Sequence, residues 1–283
     1  MINNVGVVGA GTMGAGIALA AALKSFPVIL CDINTKVLDG ARSAIQSNLD
    51  FLISREKITT SQSQSILNNI RFTSQLGECT AELVIEAIVE KLEVKQKLFS
   101  QLAAINATTT ILASNTSSLS ISAIQKQVSN PARIAGLHFF NPAHVMKLVE
   151  IVRGDLTSDE TMTALAGFCT TLRKTGVSCK DAPGFIVNRV ARHYYLEALK
   201  LVENNLATIE SVDSAMEAAG FKMGPFKLMD LIGMDVNLSV STSLYEAFDH
   251  AERFKPSPIQ IEKVANGELG RKSGKGFYLY SKP

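Results

Sequence analysis

The sequence predicts an α/β chain in two parts, a doubly wound domain over residues 1–183 and an all-α domain over residues 184–283. Three observations predict it. Short apolar runs alternate with helix-like segments through the first half, the pattern of βαβ units and a mostly parallel sheet. A glycine-rich turn joins the first apolar run to the first helical segment. Beyond the breaker Lys180-Asp181-Ala182-Pro183-Gly184, almost every segment has helical composition.

The elements follow in order. Val5–Val8 is a buried strand, and Thr12–Lys24, rich in alanine and leucine, is a helix. Val28–Cys31 is a second strand, closed by Asp32. Asn34 is an N-cap for a helix reaching about Leu52. Leu83–Ile85 is a strand, Glu90–Leu102 a helix and Ile111–Ala113 a strand. Two strands, Arg133–Phe139 and Lys147–Val152, flank the segment Phe140-Asn141-Pro142-Ala143-His144. A helix over Ser158–Leu172 and a strand near Val177 complete the first domain. The second domain is read as helices over Ile186–Glu203, Thr208–Ala219, Phe226–Phe248 and Ile259–Ala265.

At 283 residues the chain can bury a sizeable core, as one large domain or two moderate ones. Hydrophobic residues at 46% against 19% charged exclude disorder. Lys and Arg number 28 against 26 Asp and Glu, a net charge of +2, which argues against a nucleic-acid binder. No run of 18 apolar residues is present, so no membrane span is expected. The N-terminus has no basic region before its apolar stretch and does not read as a secretory signal. Cys31, Cys79, Cys169 and Cys179 have neither metal-site spacing nor the look of a disulfide framework, so no metal and a reduced, cytoplasmic setting are expected.

Gly9-Ala10-Gly11-Thr12-Met13-Gly14 matches G-x-G-x-x-G in the right context. It follows a strand, opens a helix, and precedes an acid, Asp32, 18 residues after Gly14. Gly9 permits the tight turn, Gly11 lets the backbone approach a pyrophosphate, and Gly14 lets helix and strand pack closely. The helix N-terminus then offers N–H groups and a positive dipole end to the phosphates. Asp32 would accept from the ribose hydroxyls and repel a 2′-phosphate. These features predict a Rossmann-like, NAD-binding domain that disfavours NADP.

In the strand around Lys147-Leu148-Val149-Glu150-Ile151-Val152, Glu150 shares a face with Leu148 and Val152. A carboxylate on an apolar face needs a partner, and His138, ending the preceding strand, is the candidate. A carboxylate that fixes the tautomer and orientation of a histidine prepares it as a general base for an alcohol proton. His144, His193 and His250 lack such a setting and read as structural or surface residues. Ser114-Asn115-Thr116-Ser117-Ser118 follows a buried strand, where ligands of open α/β sheets bind. Its hydroxyls suit either a substrate oxygen or a helix N-cap.

Five motifs, met in order, resemble the 3-hydroxyacyl-CoA dehydrogenases. They are the glycine turn, Ser114-Asn115-Thr116-Ser117-Ser118, Gly136-Leu137-His138-Phe139-Phe140-Asn141-Pro142, Lys147-Leu148-Val149-Glu150, and Pro183-Gly184-Phe185-Ile186-Val187-Asn188-Arg189. Gly224-Pro225-Phe226 and Lys272-Ser273-Gly274-Lys275-Gly276-Phe277-Tyr278 are similar to the family's C-terminal marks. The length is that of the short bacterial 3-hydroxybutyryl-CoA dehydrogenases. The resemblance implies an NAD-binding domain, a helical domain that makes a homodimer, and oxidation of a short-chain 3-hydroxyacyl thioester. It implies His138 as general base, Glu150 as its orienting partner, and Ser117 and Asn188 on substrate oxygens. It implies that Glu90, Lys95, Asn141, Lys272 and Ser117 line the NAD site with Gly9, Ala10, Gly11, Thr12, Met13, Gly14 and Asp32.

One departure stands out. Family members acting on CoA substrates usually carry lysines on the helix after Asp32. This helix reads Ser47-Asn48-Leu49-Asp50-Phe51-Leu52-Ile53-Ser54-Arg55, leaving Arg55, with Lys57, for the CoA phosphates. A carrier-protein thioester needs fewer cations and is an alternative. A free hydroxy acid, as for the gulonate dehydrogenase relatives, is another. A non-catalytic crystallin-like or binding role is the third, against which the His138 and Glu150 pair speaks.

Overall fold

A computed structural model describes residues 2–281. The chain divides into two compact units, Met1–Ala182 and Pro183–Pro283. The first is built on one eight-stranded sheet: β1 (Val5–Val8), β2 (Val28–Cys31), β3 (Ile70–Thr73), β4 (Leu83–Glu86), β5 (Ile111–Ser114), β6 (Ile134–Phe139), β7 (Leu148–Arg153) and β8 (Thr175–Lys180). The spatial order is β3-β2-β1-β4-β5-β6-β7-β8. Neighbours run parallel except β6 and β7, which are antiparallel. β1 and β4 are adjacent, so the chain order reverses between them. In open α/β sheets that reversal opens a crevice at the carboxyl ends of the strands, where ligands bind.

The central strands form where the sequence offers short apolar runs. All four residues of β1 and of β4 are buried, as a sheet covered on both faces requires. The helices of this unit are α1 (Thr12–Ala22), α2 (Thr35–Ser54), α3 (Thr60–Asn68), α4 (Leu92–Ile105), α5 (Ile121–Gln125) and α6 (Asp159–Thr171). α1 buries apolar residues on nearly every side, among them Ala15, Ile17, Ala18 and Leu19. α2 instead has one stripe, Leu38, Ala41, Ile45 and Leu49, at the spacing of one helix face. Asn34 caps it by accepting from the Lys36 amide. The helix–sheet core continues through Leu137, Val149, Leu165 and Phe168.

The second unit packs α7 (Val187–Glu203), α8 (Ile209–Ala218), α9 (Pro225–Ile232), α10 (Met234–Ala247) and α11 (Pro258–Ala265). Its core gathers Leu196, Leu199, Phe226, Met229 and Met234. Buried Asp230 clasps the C-terminal segment, accepting from the amides of Phe277 and Tyr278 and from the Tyr280 hydroxyl at 2.9–3.0 Å. Among the described residues, no helix is long and apolar enough to cross a membrane.

Four sequence expectations are corrected. The helix expected over Phe226–Phe248 is two helices, broken at Gly233, whose φ of +103° no side-chain-bearing residue adopts comfortably. α4 starts at Leu92, two residues later than expected. Arg133 precedes β6 in a short 3-10 turn. α3 and β3 were not anticipated, because Thr60–Thr73 is polar and its strand is a four-residue edge.

Candidate active site

The glycine turn links β1 to α1 as its spacing demands. Gly9 has φ +98°, and a Cβ there would lie 2.5 Å from the Ala87 carbonyl oxygen. A Cβ on Gly14 would sit 1.7 Å from the Gly9 carbonyl oxygen, so helix and strand touch at that point. A Cβ on Gly11 would meet nothing within 4 Å. No packing of this chain requires glycine at Gly11, so the space beside it suits a group brought from outside. Gly11 is the N-cap of α1 and makes no side-chain cap, and no acid occupies the first turn. Thr12 is exposed and Met13 half-buried. The uncapped N–H groups and the dipole of α1 fit a pyrophosphate.

Asp32 follows β2 beside this turn. Its Oδ2 accepts from the Ala10 amide at 2.8 Å and its Oδ1 from the Asn34 amide at 2.9 Å. Each carboxylate oxygen keeps a second lone pair, which fits the hydroxyl donors of a ribose.

An ionic cluster, buried at Lys95 and Glu86 and open at Glu90, lies at the ends of β4 and β5. Lys95, 1% exposed on α4, places Nζ 2.5 Å from Glu86 Oε1 and 3.1 Å from Glu90 Oε2. Glu86, fully buried, also accepts from the Ile88 amide and from Ser114 Oγ, both at 2.7 Å. Glu90 holds the serine-rich turn, accepting from Thr116 Oγ1, from the Ser117 amide at 3.1 Å and from Ser118 Oγ at 3.1 Å. Burial pushes the Glu90 carboxyl up, but the Lys95 ammonium and these donors outweigh it and hold the group below its ordinary value. Lys95 therefore acts on the turn through Glu90.

His138, next to last in β6, stands directly opposite Glu150 of β7 in the antiparallel register. Nδ1 of His138 lies 2.7 Å from Glu150 Oε2, with the two residues 6% and 1% exposed. The Phe140 ring packs against the imidazole at 4.5 Å between centroids. Burial on both sides keeps water from competing for the carboxylate. Asn115 ties the neighbouring strand ends together, its Oδ1 accepting from the Phe139 amide at 2.9 Å. His144 is half-buried, and burial together with the nearby Lys174 ammonium lowers its pKa.

The structure brings together Gly9 to Gly14 with Asp32, Glu90 with Lys95 and Ser117, and His138 with Glu150, all in the first unit. Asn141 is exposed in the loop after β6. Arg55 is the exposed C-cap residue of α2, its guanidinium 5.3 Å from the Phe51 ring centre. Asn188 and Lys272 belong to the second unit. Asn188 is the second residue of α7, and Lys272 sits in a 3-10 turn with Nζ 2.7 Å from Asp235 Oδ2. Among the described residues, no group of three or more His, Cys, Asp or Glu could hold a metal ion. Sequence reasoning missed Glu86 and Asn115. Glu86 had a signal: it is an acid closing an apolar strand, the same pattern that marked Asp32.

Comparison with known proteins is consistent along the whole length. The family model described as "3-hydroxyacyl-CoA dehydrogenase, NAD binding domain" matches residues 4–182. The one described as "3-hydroxyacyl-CoA dehydrogenase, C-terminal domain" matches residues 184–280. The 3-hydroxyadipyl-CoA dehydrogenase of Escherichia coli is 47% identical over 98% of this chain, which spans 59% of that protein's length. A probable 3-hydroxybutyryl-CoA dehydrogenase of Deinococcus radiodurans is 40% identical over 97% of this chain and 99% of its own. The crystal structure of the (S)-3-hydroxybutyryl-CoA dehydrogenase PaaH1 of Ralstonia eutropha aligns over 100% of both chains, with a TM-score of 0.94 and 39% identity.

Proposed function

The chain belongs to the 3-hydroxyacyl-CoA dehydrogenase family and carries that family's NAD-binding domain, and from this premise we propose that it interconverts a short-chain 3-hydroxyacyl thioester, such as 3-hydroxybutyryl-CoA, with the 3-oxoacyl thioester. The observation that carries this reading is the buried pair of His138 and Glu150, 2.7 Å apart across one rung of the sheet.

NAD, when bound, would supply the hydride-accepting chemistry at C3, and the protein supplies placement and electrostatics. The α1 N-terminus holds the pyrophosphate and Asp32 the ribose. Glu90 and Lys95 shape the serine-rich turn, and Asn141 and Lys272 complete the cofactor side. His138 takes the proton of the 3-hydroxyl on Nε2, because Nδ1 is committed to Glu150. Glu150 fixes the ring orientation and stabilises the imidazolium that forms. Ser117 and Asn188 hydrogen-bond the substrate oxygens, which fixes C3 for reaction.

Arg55 meets the phosphates of CoA. A carrier-protein thioester remains the second reading of the same site, favoured by Asp50, Phe51 and Ser54 standing where cations would bind a nucleotide. The helical unit makes the homodimer, and the protein works in the cytoplasm. The deciding experiment mixes the purified protein with NADH and acetoacetyl-CoA and follows NADH absorbance. Oxidation supports the proposal. No oxidation, with turnover of free hydroxy acids, favours the free-acid dehydrogenase. Absence of cofactor binding altogether favours a non-catalytic role.

A further inference from the structure

Arg192, on α7, is 3% exposed, and none of the ion pairs of the helical unit involves it. A buried guanidinium that faces only neutral groups is costly. Burial holds its pKa down to about 10. All three of its hydrogen bonds leave from Nη1: to the Asn237 carbonyl at 2.7 Å, to Asn237 Oδ1 at 3.1 Å and to Ser241 Oγ at 2.9 Å. The Nε–Nη2 edge, which can grip a carboxylate with two parallel bonds, carries none of them. Nε is buried and has no partner among the described residues.

Asn237 repeats the pattern. Its Oδ1 receives both Arg192 Nη1 and Gln260 Nε2, the latter at 2.6 Å, which fixes the amide with Nδ2 turned away from both donors. That Nδ2 is also buried and has no acceptor. Two orphaned donors beside an uncompensated cation call for an anion with several lone pairs. Arg133 also has an orphaned Nε, but there both Nη atoms end on carbonyls of residues 103–110, so its cationic fork is already filled by backbone.

We propose that Arg192, with Asn237 beside it, receives the far carboxylate of a dicarboxylic 3-hydroxyacyl chain and so selects ω-carboxylated over plain acyl substrates. This rests on the dehydrogenase reading above, in which Asn188 meets the oxygen at the reacting carbon. Asn188 and Arg192 are four residues apart on α7, one turn, about 6 Å along the axis and on the same face. In a six-carbon diacid chain, C3 and C6 are joined by three bonds of about 1.5 Å each, spanning roughly 4 Å. A hydrogen bond of about 2.9 Å at the guanidinium edge then covers the remaining reach.

The test compares kcat/KM of the purified protein for 3-hydroxyadipyl-CoA and 3-hydroxyhexanoyl-CoA, which match in length and differ only at the far end. The expected preference for the diacid is on the order of 10⁴-fold, the scale on which a site built to bond a polar group rejects the analogue that lacks it. In Arg192→Met the ratio falls to near one. In Arg192→Lys, which keeps the charge without the fork, it takes an intermediate value. A wild-type ratio near one overturns the inference and leaves the dehydrogenase reading intact, since both substrates still turn over. A ratio that survives in Arg192→Met also overturns it. Should the Met variant fail to fold, an unchanged ratio in Arg192→Lys overturns it equally. Failure to turn over either substrate or acetoacetyl-CoA strikes the dehydrogenase reading instead.

Discussion

Asp32 and Ala10 are joined by a hydrogen bond of 2.8 Å from the Ala10 amide to Asp32 Oδ2, which fastens the end of β2 to the glycine turn. The carboxylate shapes the turn and, on the proposed reading, also places negative charge at the ribose. Asp32→Ala removes both. It should weaken NAD binding and narrow the preference over NADP, because the group that repels a 2′-phosphate is gone. Fluorescence titration with NADH and NADPH checks this; an unchanged affinity ratio would place Asp32 away from the ribose.

The His138 and Glu150 pair predicts a specific pattern of losses. His138→Gln should reduce turnover by roughly 10²–10⁴-fold with cofactor binding largely kept. Glu150→Gln preserves shape but removes the charge that favours the imidazolium. The acidic limb of the oxidation profile should therefore move to lower pH, because oxidation needs a neutral ring. Reduction needs the protonated ring and should show the opposite dependence. The double mutant should cost less than the sum of the singles. Strictly additive losses, or an unmoved profile in Glu150→Gln, would mean the two residues act separately.

Lys95→Met would leave Glu86 and Glu90 without their shared cation. Breaking a buried pair from one side costs about 3–5 kcal/mol. For a unit of this size that lowers the melting temperature by roughly 6–20 °C. Calorimetry reads it, and a loss under 1 °C would contradict the buried-pair account. The pH sign follows from Glu90, whose carboxyl lies below the ordinary 4.5. Its stabilisation is fully present above that pH and is lost as pH falls through the folded value.

The thiols give a fourth prediction. Burial raises Cys31 and Cys179 to about 11, and Cys79 and Cys169 to about 12. Nearby carboxylates add to the shift at Cys31 and Cys179. At pH 8 about one thiol in a thousand or fewer is then ionised. The folded protein should react slowly with a disulfide reagent, half-buried Cys179 first, and all four should react promptly in denaturant. Because the folded values lie above the ordinary 9.0, this contribution to stability is complete below that pH and is lost as pH rises through 11 to 12. Prompt reaction of all four in the native state would contradict it.

The fifth concerns assembly. Leu231, Ile232 and Val236 are 49%, 40% and 48% exposed around the α9–α10 junction of the helical unit. Exposed apolar side chains so close together mark a surface that a second copy can cover. Sedimentation at micromolar concentration should give a dimer, and Val236→Glu should shift it toward monomer. A monomeric wild-type chain would overturn the assignment.

What was legible in the sequence followed from strong local signals. β1 and β2 are unbroken apolar runs, β4 and β5 are apolar up to their last residue, and the glycine turn has steric needs that only its spacing meets. Glu150 was conspicuous because an acid on an apolar strand face requires a partner. The hidden parts had weak signals. β3 pairs at the sheet edge through backbone bonds that polar residues supply as well as apolar ones, so Ile70-Arg71-Phe72-Thr73 gave little to read. Gly233 inside Leu231-Ile232-Gly233-Met234 is compatible with a continuous helix until its positive φ is seen. The burial of Lys95 is a tertiary fact. Its carboxylate partner Glu86 comes from a strand nine residues earlier.

The antiparallel rung that opposes His138 to Glu150 separates two kinds of change. Side chains alternate along a strand, so a slip of one residue in the β6–β7 pairing would turn Glu150 to the opposite face of the sheet. The connection from Phe140 to Lys147 is held at its start, where Phe140 packs on the imidazole and Ala143 is buried in the core, and is open at its end, where Val145 and Met146 are exposed. Changes at Val145 and Met146 can remodel the rim without disturbing the charge pair beneath it. The hairpin thus combines a fixed electrostatic element with an adjustable rim, and mutational tolerance should change abruptly where the loop meets the strands.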